Sequence, residues 1–519
     1  MKLIIFLLYF VVNCDCYNIL GIFPYNGRSH HIYYSSVVEE LIRRGHTVTV
    51  INYHPMPKLP TLLQISLQDE HNASDNVNIE EQLKVLSHSD LSMAYDSAQA
   101  FKYLANTNCK KLVHNKEVQE LIRSSKHFDL VIVEQFVTDC GLAIAHKLNA
   151  PTIGMTAHIL MSWTYSRLGA PNHPAYVPNH YFACGTKPNF FNRIKSVILN
   201  FGMNLYYTHV IQSSDQEIVN EVYPGVPPLE DLARNISLIA INQYFPLTGS
   251  RLFGANVIEV GGIHIKANVP LEDKALKSFL DAASDGAVYV SFGSVASNFP
   301  KIITSEIIKW FENSKMRFVW KTDIKDWKPP SNVFVSQWIA QVPVLCHPNV
   351  VAFVSHSGML STSEAMHCGV PIVGVPLFGD QFANGQSAVE SGLGVTVDVV
   401  TLSASVLEDA VTTILSEKYQ KQAKKLSQLW KDRPLSPMDT AIFWMEYVAR
   451  HQTAVDLKPP TTNLPFYQYI MIDVILVLGS VLIILIYIVV KIFKTLLTKL
   501  KTNTKVKETK RSNKTKKLK

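Results

Sequence analysis

Short apolar runs that end in polar residues recur along the chain and predict buried parallel strands. In the first half, the strand YNILGIF, a helix from about Ser29 to Arg44 and the strand HTVTVI follow one another, with Gly45 as the helix stop. In the second half, the runs AVYVSFGS, FVWK, VVAFVS and PIVGVP predict strands, and a helix from about Leu360 to Cys368 joins the last two. This alternation predicts an α/β fold, and 519 residues suit two domains with additional segments.

Both ends of the chain carry segments that lie outside these domains. Residues 1–16, MKLIIFLLYFVVNCDC, have a lysine followed by an apolar run too short to span a bilayer, which is typical of a secretory signal peptide. Residues 470–490, IMIDVILVLGSVLIILIYIVV, are long enough for one transmembrane helix, with Asp473 close to its lumenal edge. We therefore expect a mature chain that begins near Tyr17 and crosses the membrane once.

The positive charge of the chain is concentrated behind the predicted transmembrane segment. Residues 491–519 hold twelve Lys and Arg side chains against Glu508 alone, whereas the formal charge of the whole chain is +7. The rest of the chain is therefore slightly acidic, so its composition gives no support to nucleic-acid binding. Because positive flanks stay in the cytosol, we expect a cytosolic tail at 491–519 and lumenal folded domains, in a single-pass type I arrangement.

Short motifs indicate the endoplasmic reticulum membrane. The last four residues, Lys516-Lys517-Leu518-Lys519, are similar to the dilysine retrieval signal of that membrane. In its lumen the sequons at Asn72 and Asn235 are expected to carry glycans, whereas the sequon at Asn513 is not. The cysteines that follow the leader have neither metal-ligand spacing nor a dense framework, so we expect at most two disulfides and at least one free thiol. These cysteines are Cys109, Cys140, Cys184, Cys346 and Cys368.

The stretch from Trp338 to Gln381 places polar side chains where predicted strands end and helices begin. It reads Trp338-Ile-Ala-Gln341, then Phe353-Val-Ser-His356-Ser-Gly358, Ser361-Thr-Ser-Glu364 and Pro376-Leu-Phe-Gly-Asp380-Gln381. In open α/β sheets, ligands bind at the carboxyl edge of the strands, and a helix N-terminus offers free N–H groups to phosphate. The stretch therefore indicates a pocket for a phosphorylated nucleotide.

This stretch resembles the donor-binding signature of the UDP-glycosyltransferases, including the membrane-bound UDP-glucuronosyltransferases and their glucosyl-transferring relatives. The resemblance implies a GT-B fold, in which two Rossmann-like domains face each other across a cleft, with a C-terminal transmembrane helix in addition. A flat indole suits a base, and a carboxylate accepts two vicinal hydroxyls. The implied donor contacts are Trp338 on uracil, Gln341 near base and ribose, His356, Gly358 and Ser361 at the diphosphate, Glu364 on the ribose, and Asp380 and Gln381 on the sugar.

The same resemblance implies the domain boundaries. We expect an acceptor-binding domain at 17–262, a UDP-sugar-binding domain at 263–455 and a linker at 456–469. The strand AVYVSFGS ends at Ser294, in a turn that the family places beside the diphosphate. The helix from about Pro437 to His451 resembles the family's late helix that crosses back to the first domain. The chain departs from the family at Ser357, where glycine is usual, and we expect the serine to narrow the loop near the phosphates.

The first domain supplies the candidate catalytic residues. Ser29-His30 opens the first helix and Arg44-Gly45-His46 closes it, as in the acceptor domain of the same family. His30 is the expected general base, because imidazole has a suitable proton affinity and a helix N-terminus favours its neutral form. A carboxylate that holds the other ring nitrogen would stabilise the imidazolium. Two acids fit this role equally, Glu134 and Asp139, so the assignment between them stays open.

The resemblance, together with these residues, implies an inverting transfer of glucose or glucuronate from a UDP-sugar to a hydroxyl of a small lipophilic acceptor, as in detoxifying conjugation. No Asp-x-Asp pair occurs in the chain, so we expect neither a metal nor a cofactor. An alternative is a catalytically silent membrane subunit that binds UDP-sugars and lipophilic compounds. A Rossmann oxidoreductase is poorly supported because no Gly-x-Gly-x-x-Gly follows a strand. The sequence leaves the donor, the acceptor and the formation of a homo-oligomer open.

Overall fold

The computed structural model describes residues 16–68, 77–78, 90–180, 183–266, 269–293, 296–297, 299–324, 327–452 and 457–516. Residues 1–15 of the predicted signal peptide, Asn72, Ser294 and residues 517–519 of the predicted retrieval signal lie outside this range. The chain divides into two compact units, residues 1–462 and residues 463–519.

The larger unit contains all the strands that the structure describes. They are β1 Asn18–Ile22, β2 Thr47–Asn52, β3 Leu62–Ser66, β4 Val77–Asn78, β5 Leu130–Glu134, β6 Thr152–Thr156, β7 Ile239–Ile241, β8 Val257–Glu259, β9 Ala287–Ser291, β10 Ala296–Ser297, β11 Arg317–Lys321, β12 Val333–Ser336, β13 Val350–Ser355, β14 Ile372–Gly374 and β15 Gly394–Thr396. Two large parallel sheets result, in the orders β3-β2-β1-β5-β6-β7-β8 and β12-β11-β9-β13-β14-β15, and β4 pairs with β10 in a small third sheet. This confirms the predicted α/β architecture with two sheets.

Helices connect and cover these strands. In the first half they are α1 Arg28–Arg43, α2 Asp90–His114, α3 Lys116–Arg123, α4 Cys140–Lys147, α5 Thr164–Arg167, α6 Phe190–Tyr206, α7 Gln212–Val222, α8 Leu229–Arg234 and α9 Phe245–Thr248, with a π-helical turn at Tyr207–Ile211. In the second half they are α10 Lys274–Asp281, α11 Lys301–Asn313, α12 Gln341–Leu345, α13 Met359–Cys368, α14 Gln381–Ser391, α15 Ala404–Leu415, α16 Glu417–Lys431 and α17 Pro437–His451, with a 3₁₀ turn at Val399–Thr401.

Each sheet is buried on both faces, as expected of parallel strands. Separate apolar clusters cover the two faces of the first sheet and the two faces of the second. Helix α17 crosses back to the first sheet, where Ile442, Met445 and Val448 pack in the same cluster as Val37 and Leu41 of α1. The two halves of the larger unit are therefore tied together at the end of the second half.

Two disulfides join Cys109 to Cys140 and Cys346 to Cys368. Cys184 is free and buried. The expectation of at most two disulfides with a free thiol is confirmed for these five cysteines.

The second unit consists of helices α18 Phe466–Tyr469 and α19 Ile472–Lys516, preceded by a 3₁₀ turn at Pro460–Asn463 at the boundary of the larger unit. In the part of the chain that the structure describes, one helix is long and apolar enough to cross a membrane, Ile472–Asn513. It contains most of the predicted span 470–490 and continues into the basic segment. By length and composition, the predicted transmembrane helix is plausible at this place.

Candidate active site

His30 and Glu134 form a hydrogen-bonded pair at the carboxyl edge of the first sheet. Helix α1 begins at Arg28 after Gly27, which places His30 in its first turn, and Glu134 is the last residue of β5. The Nδ1 atom of His30 lies 2.6 Å from Oε1 of Glu134, and the two side chains are 12% and 2% exposed. The Tyr25 backbone N–H donates to Glu134 Oε2 at 3.2 Å. Both carboxylate oxygens are thus occupied, and the second ring nitrogen of His30 points away from Glu134.

Asp139 does not contact His30, so of the two acids that the sequence left open the alternative Asp139 is wrong, and Glu134 is the acid beside the imidazole. The Asp139 carboxylate pairs with Arg167, whose Nη2 lies 2.9 Å from Oδ2. The same oxygen accepts from Tyr207 Oη at 2.9 Å and from Gln212 Nε2 at 2.8 Å. Asp139 lies five residues beyond the end of β5, at the start of α4, and its side chain is buried among the helices on one side of the sheet. Asp139 therefore belongs to a buried ion pair with Arg167 that has a structural role.

Aromatic rings surround the His30 imidazole. The ring centroids of Tyr25 and Phe136 lie 4.6 and 4.9 Å from that of His30, and His158 follows at 5.9 Å. Phe136 in turn contacts Phe101 at 5.5 Å. These rings lie in the domain that is predicted to bind the acceptor, and they give His30 an apolar neighbourhood.

The Trp338 indole is half exposed and is contacted by two cations. The guanidinium carbon of Arg28 lies 4.2 Å from the indole centroid, and Lys321 Nζ lies 4.6 Å from it. Arg28 opens α1 in the first half of the chain, two residues before His30, whereas Lys321 ends β11 in the second half. A cavity of about 380 Å³ is lined by Trp338 together with residues of α1 such as Arg28 and Ser35. The predicted base-binding indole therefore faces the helix that carries His30.

His356 lies beside Lys321 at the end of β13. A Cβ atom at Gly293 or Gly358 would come within 2.7 or 2.5 Å of His356 Nε2, so glycine at both positions allows the ring to sit against the loops. Burial and the charge of Lys321 lower the pKa of His356 to about 4. Burial also lowers the pKa of Lys321. The pair therefore offers a neutral imidazole and an ammonium group close to the start of α13, where phosphate oxygens are favoured.

Ser357 adopts a left-handed backbone conformation, with φ of 63°. Its side chain is buried, and the hydroxyl approaches the positions where Cβ atoms of Gly374 and Gly385 would stand. The serine thus packs against β14 and α14. Glycine would adopt the left-handed conformation at this position with less backbone strain than serine.

Glu364 is held in place from two sides. Its Oε1 lies 2.9 Å from His264 Nε2, and its Oε2 accepts from Gln341 Nε2 at 2.6 Å. The same amide nitrogen donates to Ser361 Oγ at 2.9 Å. Gln341, Ser361 and Glu364 therefore form one hydrogen-bonded group, and their contacts to ribose and phosphate stay a prediction.

Asp380 and Gln381 begin α14 in the second half of the chain. The Asn384 amide donates to Asp380 Oδ2 at 2.8 Å. The side-chain oxygen of Gln381 accepts from the backbone N–H of Leu377 at 2.8 Å, so this side chain also shapes its own loop. The Asp380 charge raises the pKa of His180, although burial outweighs it and leaves that pKa below the usual value. His180 lies 5.3 Å from His158, which continues the line of rings towards His30.

One group among the described residues has the composition of a metal site: Cys109, Cys140 and Asp215. The two sulfur atoms form a disulfide, so they offer no thiolate to an ion.

Sequence reasoning overlooked Arg28, Lys321, His264, His158 and His180. Two of them carried a usable signal: Arg28 directly precedes Ser29-His30, and Lys321 ends a predicted strand at the ligand-binding edge. The three histidines come from loops whose position depends on tertiary packing.

Comparisons with known proteins agree with this geometry. A family model described as "UDP-glucoronosyl and UDP-glucosyl transferase" matches residues 19–508. The chain is 33% identical to "UDP-glycosyltransferase UGT5" of Dactylopius coccus, covering 91% of both chains. It is also 33% identical to "UDP-glucosyltransferase 2" of the same organism, covering 88% of both. Identity with "UDP-glucuronosyltransferase 1A7" of Mus musculus is 30%, covering 91% of this chain and 90% of that protein.

Solved structures share the fold. The structure of Medicago truncatula UGT71G1 complexed with UDP-glucose superposes with a TM-score of 0.58 at 15% identity, covering 84% of this chain and 99% of that one. The glycotransferase of kitacinnamycin gives a TM-score of 0.56 at 17% identity, covering 84% and 99%. These similarities confirm the predicted GT-B fold.

Proposed function

Because the chain belongs to the UDP-glucuronosyl and UDP-glucosyl transferase family and so transfers a hexose from a UDP-sugar, we propose that His30 is the general base of this transfer and Glu134 its partner. The observation that supports this role is the 2.6 Å contact between His30 Nδ1 and Glu134 Oε1 at the start of α1, where Arg28 contacts Trp338 of the second half. A carboxylate that accepts from Nδ1–H leaves the lone pair on Nε2, where a base needs it.

The transfer is a single displacement. His30 Nε2 takes the proton of the acceptor hydroxyl while the acceptor oxygen attacks the anomeric carbon from the face opposite the diphosphate. The bond between that carbon and the diphosphate oxygen breaks, UDP leaves with the electron pair, and the configuration inverts. Glu134 stabilises the imidazolium that forms, and general-base help of this kind is worth about 100- to 10,000-fold.

Protein groups stabilise the leaving diphosphate in this proposal. Lys321 supplies a positive charge, His356 a neutral N–H donor, and the start of α13 free backbone N–H groups. A divalent ion is therefore not required. Turnover that persists in EDTA would support this account, whereas loss in EDTA and recovery with manganese would contradict it.

We propose glucose as the transferred sugar. Burial lowers the pKa of both His158 and His180, so the imidazole of His180 beside Asp380 and that of its neighbour His158 are uncharged near neutral pH and suit hydroxyl groups. The cations Arg28 and Lys321 lie instead against Trp338, at the nucleotide end of the cleft. A relative at 33% identity is named as a glucosyltransferase.

The acceptor in this proposal is a small lipophilic alcohol or phenol. The rings of Tyr25 and Phe136 at His30 provide an apolar surface, and Phe101 and Trp163 extend it. Such a surface holds an aromatic or aliphatic body while its hydroxyl reaches the imidazole.

The chain is a membrane-anchored protein, and we propose that its larger unit lies in the lumen of the endoplasmic reticulum. Two disulfides suit an oxidising compartment, and Asn235 of the second sequon is exposed. A glycan that endoglycosidase H removes from the wild type, and that Asn235→Gln lacks, would support this location. A wild type without any glycan would contradict it.

The function is tested by offering the purified full chain equal amounts of UDP-glucose and UDP-glucuronate with a small phenol. Mass analysis of the product identifies the sugar, and the coupling constant of its anomeric proton gives the configuration. We expect a β-glucoside. A glucuronide would overturn the donor proposal. An α-linkage would overturn the inverting mechanism, and UDP binding without any product would overturn the catalytic role.

A further inference from the structure

The disulfide between Cys346 and Cys368 joins two helices that carry predicted nucleotide contacts. Cys346 directly follows α12, which begins at Gln341. Cys368 ends α13, about one helical turn beyond Glu364. The Cys368 Sγ atom lies 3.7 Å from the backbone oxygen of Val342, the residue after Gln341. The bridge therefore lies against the turn of α12 that carries the Gln341 side chain.

The Gln341 side chain connects α12 to the sheet and to α13. Its amide nitrogen donates to Ser361 Oγ at 2.9 Å and to Glu364 Oε2 at 2.6 Å. Its amide oxygen accepts from the Tyr289 hydroxyl of β9 at 3.2 Å. A shift of α12 would therefore disturb two side chains of α13 as well. Gln341, Ser361 and Glu364 are called the Gln341 group below.

Helix α12 has little stability of its own. It is five residues long, and isolated helices shorter than about 12 residues are marginal in water. Ala340 at its N-cap has a methyl side chain that cannot accept an N–H, and Pro343 in its first turn has no N–H to donate. Val344 and Leu345 are buried and fix one side of the helix. The position of α12 therefore depends on contacts outside the helix, and the disulfide is one of them.

Helix α13, in contrast, is firmly fixed. Ala365 and Met366 are fully buried in the apolar cluster on one face of the second sheet. Gly369 ends the helix in a left-handed conformation, which is a usual helix stop. A bridge from the end of α13 therefore holds α12 against a rigid element.

The Cys346–Cys368 bridge is more accessible than the Cys109–Cys140 bridge. Cys346 is exposed and Cys368 is half-buried, whereas Cys109 and Cys140 are both fully buried. Thiol–disulfide exchange requires access of a thiolate to a sulfur atom. The bridge beside the Gln341 group is therefore expected to open first in the folded protein.

We propose that the Cys346–Cys368 disulfide positions the Gln341 group for the ribose of the donor, so that opening the bridge weakens nucleotide binding. The inference rests on the proposed function in that a UDP-sugar occupies this pocket. Both cysteines act through the Gln341 group and are positioning residues. If α12 without the bridge adopts the binding arrangement in about one molecule in ten, the apparent affinity falls about 10-fold.

Opening the bridge is a two-electron reduction, and a dithiol such as dithiothreitol supplies the electrons. One of its thiolates attacks Cys346 Sγ, the S–S bond breaks, and Cys368 leaves as a thiolate that takes up a proton. The second thiol of the reductant attacks the mixed disulfide and releases Cys346. The protein gains two thiols, and the reductant becomes a cyclic disulfide.

The positioning role is tested on the full chain in detergent, by titration calorimetry with UDP and with 2′,3′-dideoxy-UDP. The bridge is removed in the double variant Cys346→Ala and Cys368→Ala, and it is opened in the wild type by dithiothreitol under native conditions. Alkylation followed by peptide mass analysis identifies the bridge that has opened. The double variant Cys109→Ala and Cys140→Ala is the matched control, because its bridge joins α2 to α4 in the first half.

We expect UDP to bind about 10-fold more weakly when the bridge is absent or open, and 2′,3′-dideoxy-UDP to bind almost as before. Reoxidation of the reduced wild type should restore UDP affinity. The control should have a lower thermal unfolding midpoint and the wild-type affinity for UDP. If the double variant does not fold, the reduced wild type decides the question.

Two results would overturn the proposal. Unchanged UDP affinity with the bridge open would leave the disulfide a purely structural role. An equal loss for both nucleotides would mean that the whole pocket loosens and that the bridge does not act through the ribose contacts.

Steady-state kinetics separates this inference from the proposed function. Without the bridge, KM for UDP-glucose should rise about 10-fold, whereas kcat and KM for the phenol should stay unchanged, because His30 and Glu134 lie at the edge of the first sheet. A fall in kcat at saturating donor with an unchanged KM for UDP-glucose would contradict the positioning role. A wild type that binds UDP but forms no product would contradict the proposed function, and calorimetry would still decide the role of the bridge.

Discussion

His30 Nδ1 lies 2.6 Å from Glu134 Oε1, and this contact joins the first turn of α1 to the end of β5. Parallel strands end at the same edge of a sheet, so a residue that ends β5 meets the helix that follows the neighbouring strand β1. The Glu134 carboxylate is nearly inaccessible to water, and a second donor, the Tyr25 N–H, fixes its orientation. The imidazole is therefore positioned before any acceptor binds.

Asp139→Ala is predicted to destabilise the fold without removing catalysis from the folded molecules. The change leaves the buried Arg167 guanidinium with Glu230 as its remaining carboxylate partner, and breaking a buried ion pair costs about 3–5 kcal/mol. Chemical unfolding measures the loss, and kcat per folded molecule should stay near the wild-type value. Glu417→Ala, which removes an exposed pair with Lys421, is the control and should leave stability unchanged. A large fall in kcat with unchanged stability would assign Asp139 to catalysis after all.

Asp215→Asn is predicted to make stability less dependent on pH. Burial raises the pKa of Asp215 to about 8, whereas an unfolded chain loses this proton near pH 4. The folded state therefore binds more protons between about pH 4 and pH 8, and its stability falls as pH rises, by at most about 1.4 kcal/mol per pH unit. Asparagine cannot ionise and still accepts the Thr138 hydroxyl.

Thermal unfolding at pH 5 and pH 8 checks this prediction. The unfolding midpoint of the Asp215→Asn variant should exceed that of the wild type at pH 8, and the two midpoints should be nearly equal at pH 5. Asp409→Asn, at an exposed site, should show no such difference. Parallel curves for Asp215→Asn and wild type would contradict the assignment of the raised pKa.

Glu364→Ala is predicted to weaken UDP binding roughly 10- to 100-fold, because the variant lacks the carboxylate that we expect to accept the ribose hydroxyls. Binding of 2′,3′-dideoxy-UDP should change little, since this analogue lacks the hydroxyls. Titration calorimetry with both nucleotides gives the comparison, and Glu417→Ala should alter neither affinity. An equal loss for both nucleotides would mean that Glu364 acts by holding Gln341 or His264 in place.

Ser357→Gly is predicted to raise the thermal unfolding midpoint. The left-handed conformation at φ 63° costs a residue with a Cβ atom about 1–2 kcal/mol, and glycine relieves most of this strain. Ser314→Gly is the matched control, because Ser314 lies at φ −98°, where glycine relieves no strain. It should lower the midpoint, since it raises the entropy of the unfolded chain and removes the hydrogen bond from the Met316 N–H to Ser314 Oγ. An equal or lower midpoint for Ser357→Gly would show that packing of the hydroxyl against Gly374 outweighs the strain.

The local pattern of apolar and polar residues predicted the positions of most of the strands and helices discussed here. The strands that end at Lys321 and Ser355 and the helix Pro437–His451 have the predicted positions, because apolar periodicity and capping residues act over a few positions. Helix α1 begins at Arg28 and ends at Arg43, within one residue of the prediction at each end.

Contacts between distant segments were not predictable in the same way. Glu134 and Asp139 are five positions apart, and only the turn between β5 and α4 decides which of them meets His30. The Arg28–Trp338 contact joins residues from opposite halves of the chain, and His264 reaches Glu364 from the segment between the sheets. Such pairs depend on how the halves pack, which periodicity does not encode.

The most direct test of the catalytic pair compares kcat and UDP affinity in His30→Ala and in wild type. The surface imidazole–carboxylate pair of His127 and Asp129 supplies the control His127→Ala. We expect His30→Ala to lose about 100- to 10,000-fold in kcat while its UDP affinity and that of the control stay unchanged. A His30→Ala enzyme that turns over at the wild-type rate would contradict the assignment of His30 as the base.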